Sequence, residues 1–228
     1  MMGAALNRDP DLEFKNLLPP EYHEIYDNLN KTQMKHQRWS DGLVFFSSLG
    51  DPNIKCLMNG VYYIFSFTGS MCFLGLAKQR PIRGAIDIAW GIELHDSELY
   101  GAAVAKAYEL ESKVAQYPRI VVSERTVHYL EINSQIEGNA PYSQITRKLA
   151  QMCLNMLAQD VDGYAIINYL GDPFKEYVSQ NQHNYLFEKA FEFVQSQCIT
   201  YQSAKDSKLA FRYSLLLDYF MAHPLKDR

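Results

Sequence analysis

The chain reads as an α/β protein, an α+β sandwich with long helices laid on a sheet, and three observations lead there. The stretch from Pro81 to Ser123 runs strand, loop, glycine turn, helix and strand, the order of a βαβ unit. The stretch from Cys56 to Ala77 holds 22 residues without a charge, flanked by Lys55 and Lys78. A share of 47% hydrophobic and 13% aromatic residues is enough to fill a core beneath such elements.

Residues 1–11 read as loose. Leu12 to Leu18 predicts a short helix, which Pro19-Pro20 breaks. Tyr22, Ile25, Tyr26 and Leu29 then recur at helical spacing over Glu21 to Asn30, and Pro20 suits the first turn. The period changes over Lys35 to Ser48. There the runs MKHQRW and GLVFFSS flank Ser40-Asp41-Gly42, which predicts a hairpin with Asp-Gly at its turn. Gly50-Asp51-Pro52 closes it, and a long uncharged helix is expected over Asn53 to Gln79. Its length would reach across a bilayer. Asn59, Gly60, Tyr62, Tyr63, Ser66, Thr68, Gly69, Ser70 and Gly75 make it only mildly apolar, which favours a helix packed on a sheet and no stable membrane insertion.

Ile82 to Trp90 alternates small, branched and aromatic residues and predicts a buried strand. Gly91 to Leu99, with Glu93, Asp96 and Glu98, predicts a polar loop. Gly101 opens a helix to about Gln116, Pro118 stops it, and Ile120 to Val122 forms the next strand. A loop and a helix N-terminus then share one sheet edge, a place where small anions are commonly held. Glu124 to Ile136 predicts a helix and Glu137 to Pro141 a loop. Tyr142 to Ala158 carries Ile145, Leu149, Met152 and Met156 at helical spacing. Asp162-Gly163 turns into a strand over Tyr164 to Leu170, and helices follow over Tyr185 to Cys198 and Ala210 to Ala222. The organisation expected is an N-terminal segment 1–19, a main domain 20–175 and a helical C-terminal extension 176–228.

Charged residues make up 21% of the chain, net charge is −4, and no basic run occurs, which argues against a broad nucleic-acid surface. Cys56, Cys72, Cys153 and Cys198 are scattered without a CxxC pair. They read as buried small hydrophobes in a reducing compartment. The N-terminus lacks a basic start and an apolar core, so no signal peptide is read and a cytoplasmic location is expected. The six histidines form no HxxxH or HExxH set, which disfavours zinc catalysis.

Asp41 is the sharpest single residue. It reads first as a turn residue chosen for backbone geometry, and second as a carboxylate at a hairpin tip able to hold a hard divalent cation and, through it, phosphate oxygens. Arg83-Gly84 opens the central strand, where the arginine either meets a phosphate or rides the sheet edge. Glu109 and Glu111 near Lys106 and Lys113 suit a solvated helix face. Arg119 reads as a loop anchor.

The order of these pieces resembles the class III nucleotide cyclase catalytic domain, and within it the pyrimidine cyclases of Pycsar antiphage defence. The resemblance rests on Ser40-Asp41-Gly42 before Leu43 to Ser47, then Arg83-Gly84-Ala85-Ile86 with Gly91. Tyr100-Gly101-Ala102-Ala103 and Ala107-Tyr108-Glu109-Leu110-Glu111-Ser112-Lys113 follow. Tyr117-Pro118-Arg119-Ile120-Val121 and Asp162-Gly163-Tyr164 complete it. It covers roughly residues 20 to 170.

The resemblance implies a ferredoxin-like core acting as a head-to-tail homodimer with sites at the interface. It implies two divalent ions, Mn²⁺ or Mg²⁺, and attack of a ribose 3′-oxygen on the α-phosphate of UTP or CTP with release of pyrophosphate. Asp41 would be a catalytic, metal-binding aspartate. Lys35, Glu98 and Gly101 would contact substrate, the first two where purine cyclases select the base. The helix positions that carry asparagine and arginine in ordinary purine cyclases fall on Ala105 and Glu109. A first metal aspartate is expected at the end of a strand ahead of Asp41, and no apolar strand ending in Asp lies in that part of the sequence. The expectation is therefore a uridylate or cytidylate cyclase of antiviral defence. The alternative is a catalytically inactive cyclase-fold homologue that binds nucleotide or a partner.

Overall fold

The computed structural model describes residues 15, 17–39, 42–95, 98–175 and 184–224. Helices and short strands alternate along the chain, so the coarse α/β expectation holds. A turn of 3-10 helix at Pro20–Tyr22 leads into α1 (His23–Asn30). The buried Asn28 side chain ties α1 to the next helix's approach. Its Nδ2 donates to the Asn53 carbonyl at 3.1 Å, and its Oδ1 accepts from the Lys55 amide at 2.8 Å.

Strands β1 (Lys35–Arg38) and β2 (Leu43–Phe46) form the expected hairpin, in register Lys35↔Phe46 to Arg38↔Leu43. The Trp39 amide donates to the Gly42 carbonyl at 2.9 Å and closes it. Ser40 and Asp41, between those two residues, lie outside the described residues.

The uncharged helix, α2 (Met58–Ala77), is shorter than expected at both ends. Asp51 turns the chain first, because its Oδ1 accepts from the Asn53 amide at 2.8 Å, a local bond that competes with helix. At the far end Gln79 sits at φ 59° and the Arg80 amide returns to the Gly75 carbonyl at 2.7 Å. By length and composition α2 could cross a membrane. In this fold Met58, Val61, Phe65, Cys72, Phe73 and Leu76 are buried, and the helix lies between the sheet and the C-terminal helices.

The main sheet has the order β3 (Gly84–Ile86), β6 (Ile120–Val122), β8 (Ala165–Ile167), β7 (Leu157–Gln159). β3 runs parallel to β6, with Gly84 opposite Ile120; β6–β8 and β8–β7 are antiparallel. The strand expected over Ile82 to Trp90 is only three residues long. After Ile86 the chain leaves the sheet because Asp87 bonds Ser123 and Arg125 (below), which leaves Trp90 69% exposed rather than buried.

The loop expected over Gly91 to Leu99 is instead a second hairpin, β4 (Ile92–His95) with β5 (Glu98–Tyr100). β4 is exposed along its whole length, and the acids Glu93, Asp96 and Glu98 gave the stretch the polarity of a loop. α3 (Ala102–Lys113) crosses back to β6, completing the βαβ unit.

Ser123 caps α4 (Glu124–Ser134) by accepting the Thr126 amide at 3.2 Å. α5 (Pro141–Asn155) ends earlier than expected, since Leu157–Gln159 is the edge strand β7, turning through Gly163 at φ 85°. α6 (Asn184–Ser203) and α7 (Ser207–Ala222) pair and pack on α2. Their Ala190, Val194, Cys198, Tyr213, Leu216 and Phe220 join one hydrophobic cluster with Phe65, Cys72, Ile167 and Tyr169.

All four cysteines are buried and unpaired. Burial pushes the thiols of Cys72 and Cys153 up to about 12, as expected for inert core residues.

Candidate functional site

A groove of about 1760 Å³ opens between the β1–β2 hairpin and β3, with α2 beneath and α3 at its end. It exceeds the ~300–1,000 Å³ of an enclosed small-molecule pocket. Among the described residues β2 pairs with β1 alone and β3 with β6 alone, so both walls present a free strand edge. Phe45, Phe46, Ile64, Phe65, Ile82 and Ile86 give the floor and walls their apolar surface.

Lys35 lines this groove from β1. Its Nζ lies 2.7 and 2.8 Å from the two carboxylate oxygens of Glu93 on β4. Two residues on, and so on the same face of β1, Gln37 Oε1 accepts from the Leu99 amide of β5 at 3.1 Å. These contacts clip one hairpin to the other. The clip is not visible in the sequence, because 58 positions separate Lys35 from Glu93.

Glu98 accepts from the Tyr100 hydroxyl at 3.1 Å and so raises the Tyr100 pKa. Glu98 is not among the residues that line the groove, whereas Lys35 is.

Gly101 is the N-cap of α3 at φ 114°, a conformation that favours glycine. A Cβ placed there would lie 2.9 Å from Trp90 Cζ3, so the indole rests against the bare backbone. The Trp90 carbonyl accepts from the Ala103 amide at 2.9 Å, which fixes the residue at the first turn of α3.

Arg83 also lines the groove, with its Nε 2.5 Å from Glu111 Oε1, tying β3 to α3. Glu111 therefore serves this bond, while Glu109 alone keeps the helix-face pairing, to Lys113 at 2.6 Å. The Ala105 and Glu109 positions are exposed.

Arg119 is an anchor, as expected. Buried at 3% exposure, it bonds Asp160, Asp162 at 2.5 Å and the Val114 carbonyl at 2.7 Å, and its guanidinium lies 4.6 Å from the Tyr117 ring centroid. Burial pulls its pKa down, and the bonds to Asp162 and Asp160 more than offset that.

Sequence reasoning passed over Asp87. It follows β3 at the C-terminal end of the parallel pair, with a side chain 2% exposed. Ser123 Oγ donates to it at 2.6 Å and Arg125 Nη2 at 2.5 Å. The available signal was an acid between Ile86 and Ile88, since a carboxylate inside an apolar run needs a partner.

Asp41, the expected metal ligand, lies outside the described residues. Among them no three His, Cys, Asp or Glu side chains converge. The carboxylates along the groove are engaged elsewhere: Glu93 by Lys35, Glu111 by Arg83, Asp87 by Arg125, Asp51 by Asn53. No family model, no curated protein and no solved structure matches the chain.

Proposed function

We propose that the groove binds a pyrimidine nucleoside triphosphate and that the chain is a nucleotide cyclase converting UTP or CTP to the 3′,5′-cyclic monophosphate. In that reaction the ribose 3′-oxygen forms a bond to the α-phosphorus. The bond from that phosphorus to the pyrophosphate oxygen breaks, and the 3′-hydroxyl loses its proton. The observation that supports this reading is the meeting, across one groove, of the hairpin that carries Asp41 with the glycine-led helix α3, clipped through Lys35 and Glu93. A homodimer serving antiviral defence belongs to the same reading and rests on the resemblance, while a cytoplasmic location follows from the N-terminal pattern and the scattered cysteines. The described carboxylates along the groove are engaged by other side chains of the chain.

That engagement favours a second reading, a cyclase-fold protein that binds nucleotide without turning it over. One experiment separates the two. The purified chain is incubated with each of the four nucleoside triphosphates and Mn²⁺, and products are resolved by mass spectrometry. Cyclic UMP or cyclic CMP, lost in Asp41→Ala, supports the enzyme. Nucleotide binding with no cyclic product from any of the four supports the second reading.

A further inference from the structure

We propose that Trp90 is the stacking platform for the nucleobase, a position that neither the sequence motifs nor the resemblance assigns. This rests on the reading that the groove takes a nucleoside triphosphate. The chain has two tryptophans, Trp39 and Trp90, and both line that groove. Neither is a core residue, with 45% and 69% of their surface exposed.

Trp39, Leu43, Trp90 and Tyr108 are all exposed and all line this groove, and exposed apolar surface gathered in one groove marks a binding place. Trp90 is also held rather than loose. Its six-membered ring lies against Gly101, and its carbonyl is bonded to the Ala103 amide. A rigid aromatic side chain with open surface can stack a base of any identity.

The surroundings match the remaining parts of a nucleotide. Lys35 and Glu93 bond each other along the same groove and each stays partly exposed, so a remaining N–H of the ammonium and a remaining lone pair of the carboxylate can meet the edge of a base. Lys31 and Arg38 line it as well; the Lys31 charge also acts on Glu24, whose carboxyl it helps to lower. They supply positive charge for a polyphosphate. Indole, paired polar edge and two cations together fit a nucleoside triphosphate better than an apolar peptide, which would leave the cations facing apolar side chains.

The test uses the full chain with α,β-methylene UTP and CTP, so that binding is read without turnover. Equilibrium dialysis of the wild type against these ligands tests the underlying reading; if neither binds, that reading fails and Trp90 has no ligand to stack. If they bind, Trp90→Ala is expected to weaken them about 10- to 100-fold, the usual loss on removing one stacking ring. Trp90→Phe is expected to bind within about threefold of wild type, since a phenyl ring still stacks. Tripolyphosphate, which has no base, is expected to bind wild type and Trp90→Ala alike.

In Trp39→Phe the emission comes from Trp90 alone, and the two ligands are expected to quench it. Equal affinity of Trp90→Ala and wild type for the pyrimidine ligands overturns the proposal while leaving nucleotide binding intact. Equal weakening of tripolyphosphate overturns it too, as general damage to the groove.

Discussion

Lys35 and Glu93 join two hairpins that have no backbone pairing with each other: the ammonium sits 2.7 Å and 2.8 Å from the two carboxylate oxygens. Their side chains are 36% and 30% exposed, so water screens the pair. Glu93→Gln is expected to lower folding stability by no more than ~1 kcal/mol, the range for a surface ion pair. Its larger effect falls on ligand choice, because Lys35 is released toward the groove. Dialysis with UTP, CTP, ATP and GTP should show a changed order of preference, alongside a urea midpoint close to wild type.

Arg119 is the opposite case. Its side chain is 4% exposed and faces that of Asp160, 9% exposed. Arg119→Met leaves that carboxylate buried without its cation, a change that costs ~3–5 kcal/mol. Asp162, 38% exposed, can rehydrate, so Asp162→Asn should cost clearly less. Urea unfolding of the two variants beside wild type checks the order.

The same cluster sets an acid limit. The hydrogen bond from Arg119 holds the Asp162 carboxyl below its ordinary value, so the folded chain releases that proton more readily than the unfolded one. The contribution is fully present above the ordinary carboxylate pKa of about 3.9. It is lost as pH falls below that value and through the lowered one. The thermal midpoint of wild type should therefore fall more steeply than that of Asp162→Asn between pH 5 and pH 3, two pH values about one unit either side of that pKa. The two slopes should coincide from pH 6 to pH 8, well above the titration.

Gly101→Ala carries two penalties, the positive φ and a collision between the new methyl and the Trp90 ring at 2.9 Å. Gly138→Ala carries only the first, since at φ 112° its nearest neighbour is 3.8 Å away. Backbone strain of this kind costs ~1–3 kcal/mol. Gly101→Ala is expected to be the more destabilising in urea. It should also shift tryptophan emission, which Gly138→Ala should leave unchanged.

Where apolar residues recur at a fixed period, the elements were legible. α1 and the two C-terminal helices lie within a few residues of where their apolar spacing puts them, Gly101 and Pro118 bracket α3, and Asp-Gly between two strand-like runs marked the first hairpin. The misreadings share one cause. β4 is exposed along its whole length, so no buried stripe marks it. β7 follows directly on the helical spacing of Ile145, Leu149, Met152 and Met156, and only pairing with β8 turns Leu157–Gln159 into a strand. Asp87 was hidden because its partners Ser123 and Arg125 lie 36 and 38 positions away.

The order of elements, the core-forming residues and the glycine-led turn at Gly101 were determined by the sequence itself, since each depends on side-chain period or on a local backbone conformation. Only the tertiary structure decided that the hairpins would be clipped through Lys35 and Glu93 and that Arg119 would be buried among aspartates. It alone left both indoles open along one groove. The physical reason is range: local propensity acts over a few residues, whereas ion pairs and exposed surface depend on which distant segments the folded core brings together.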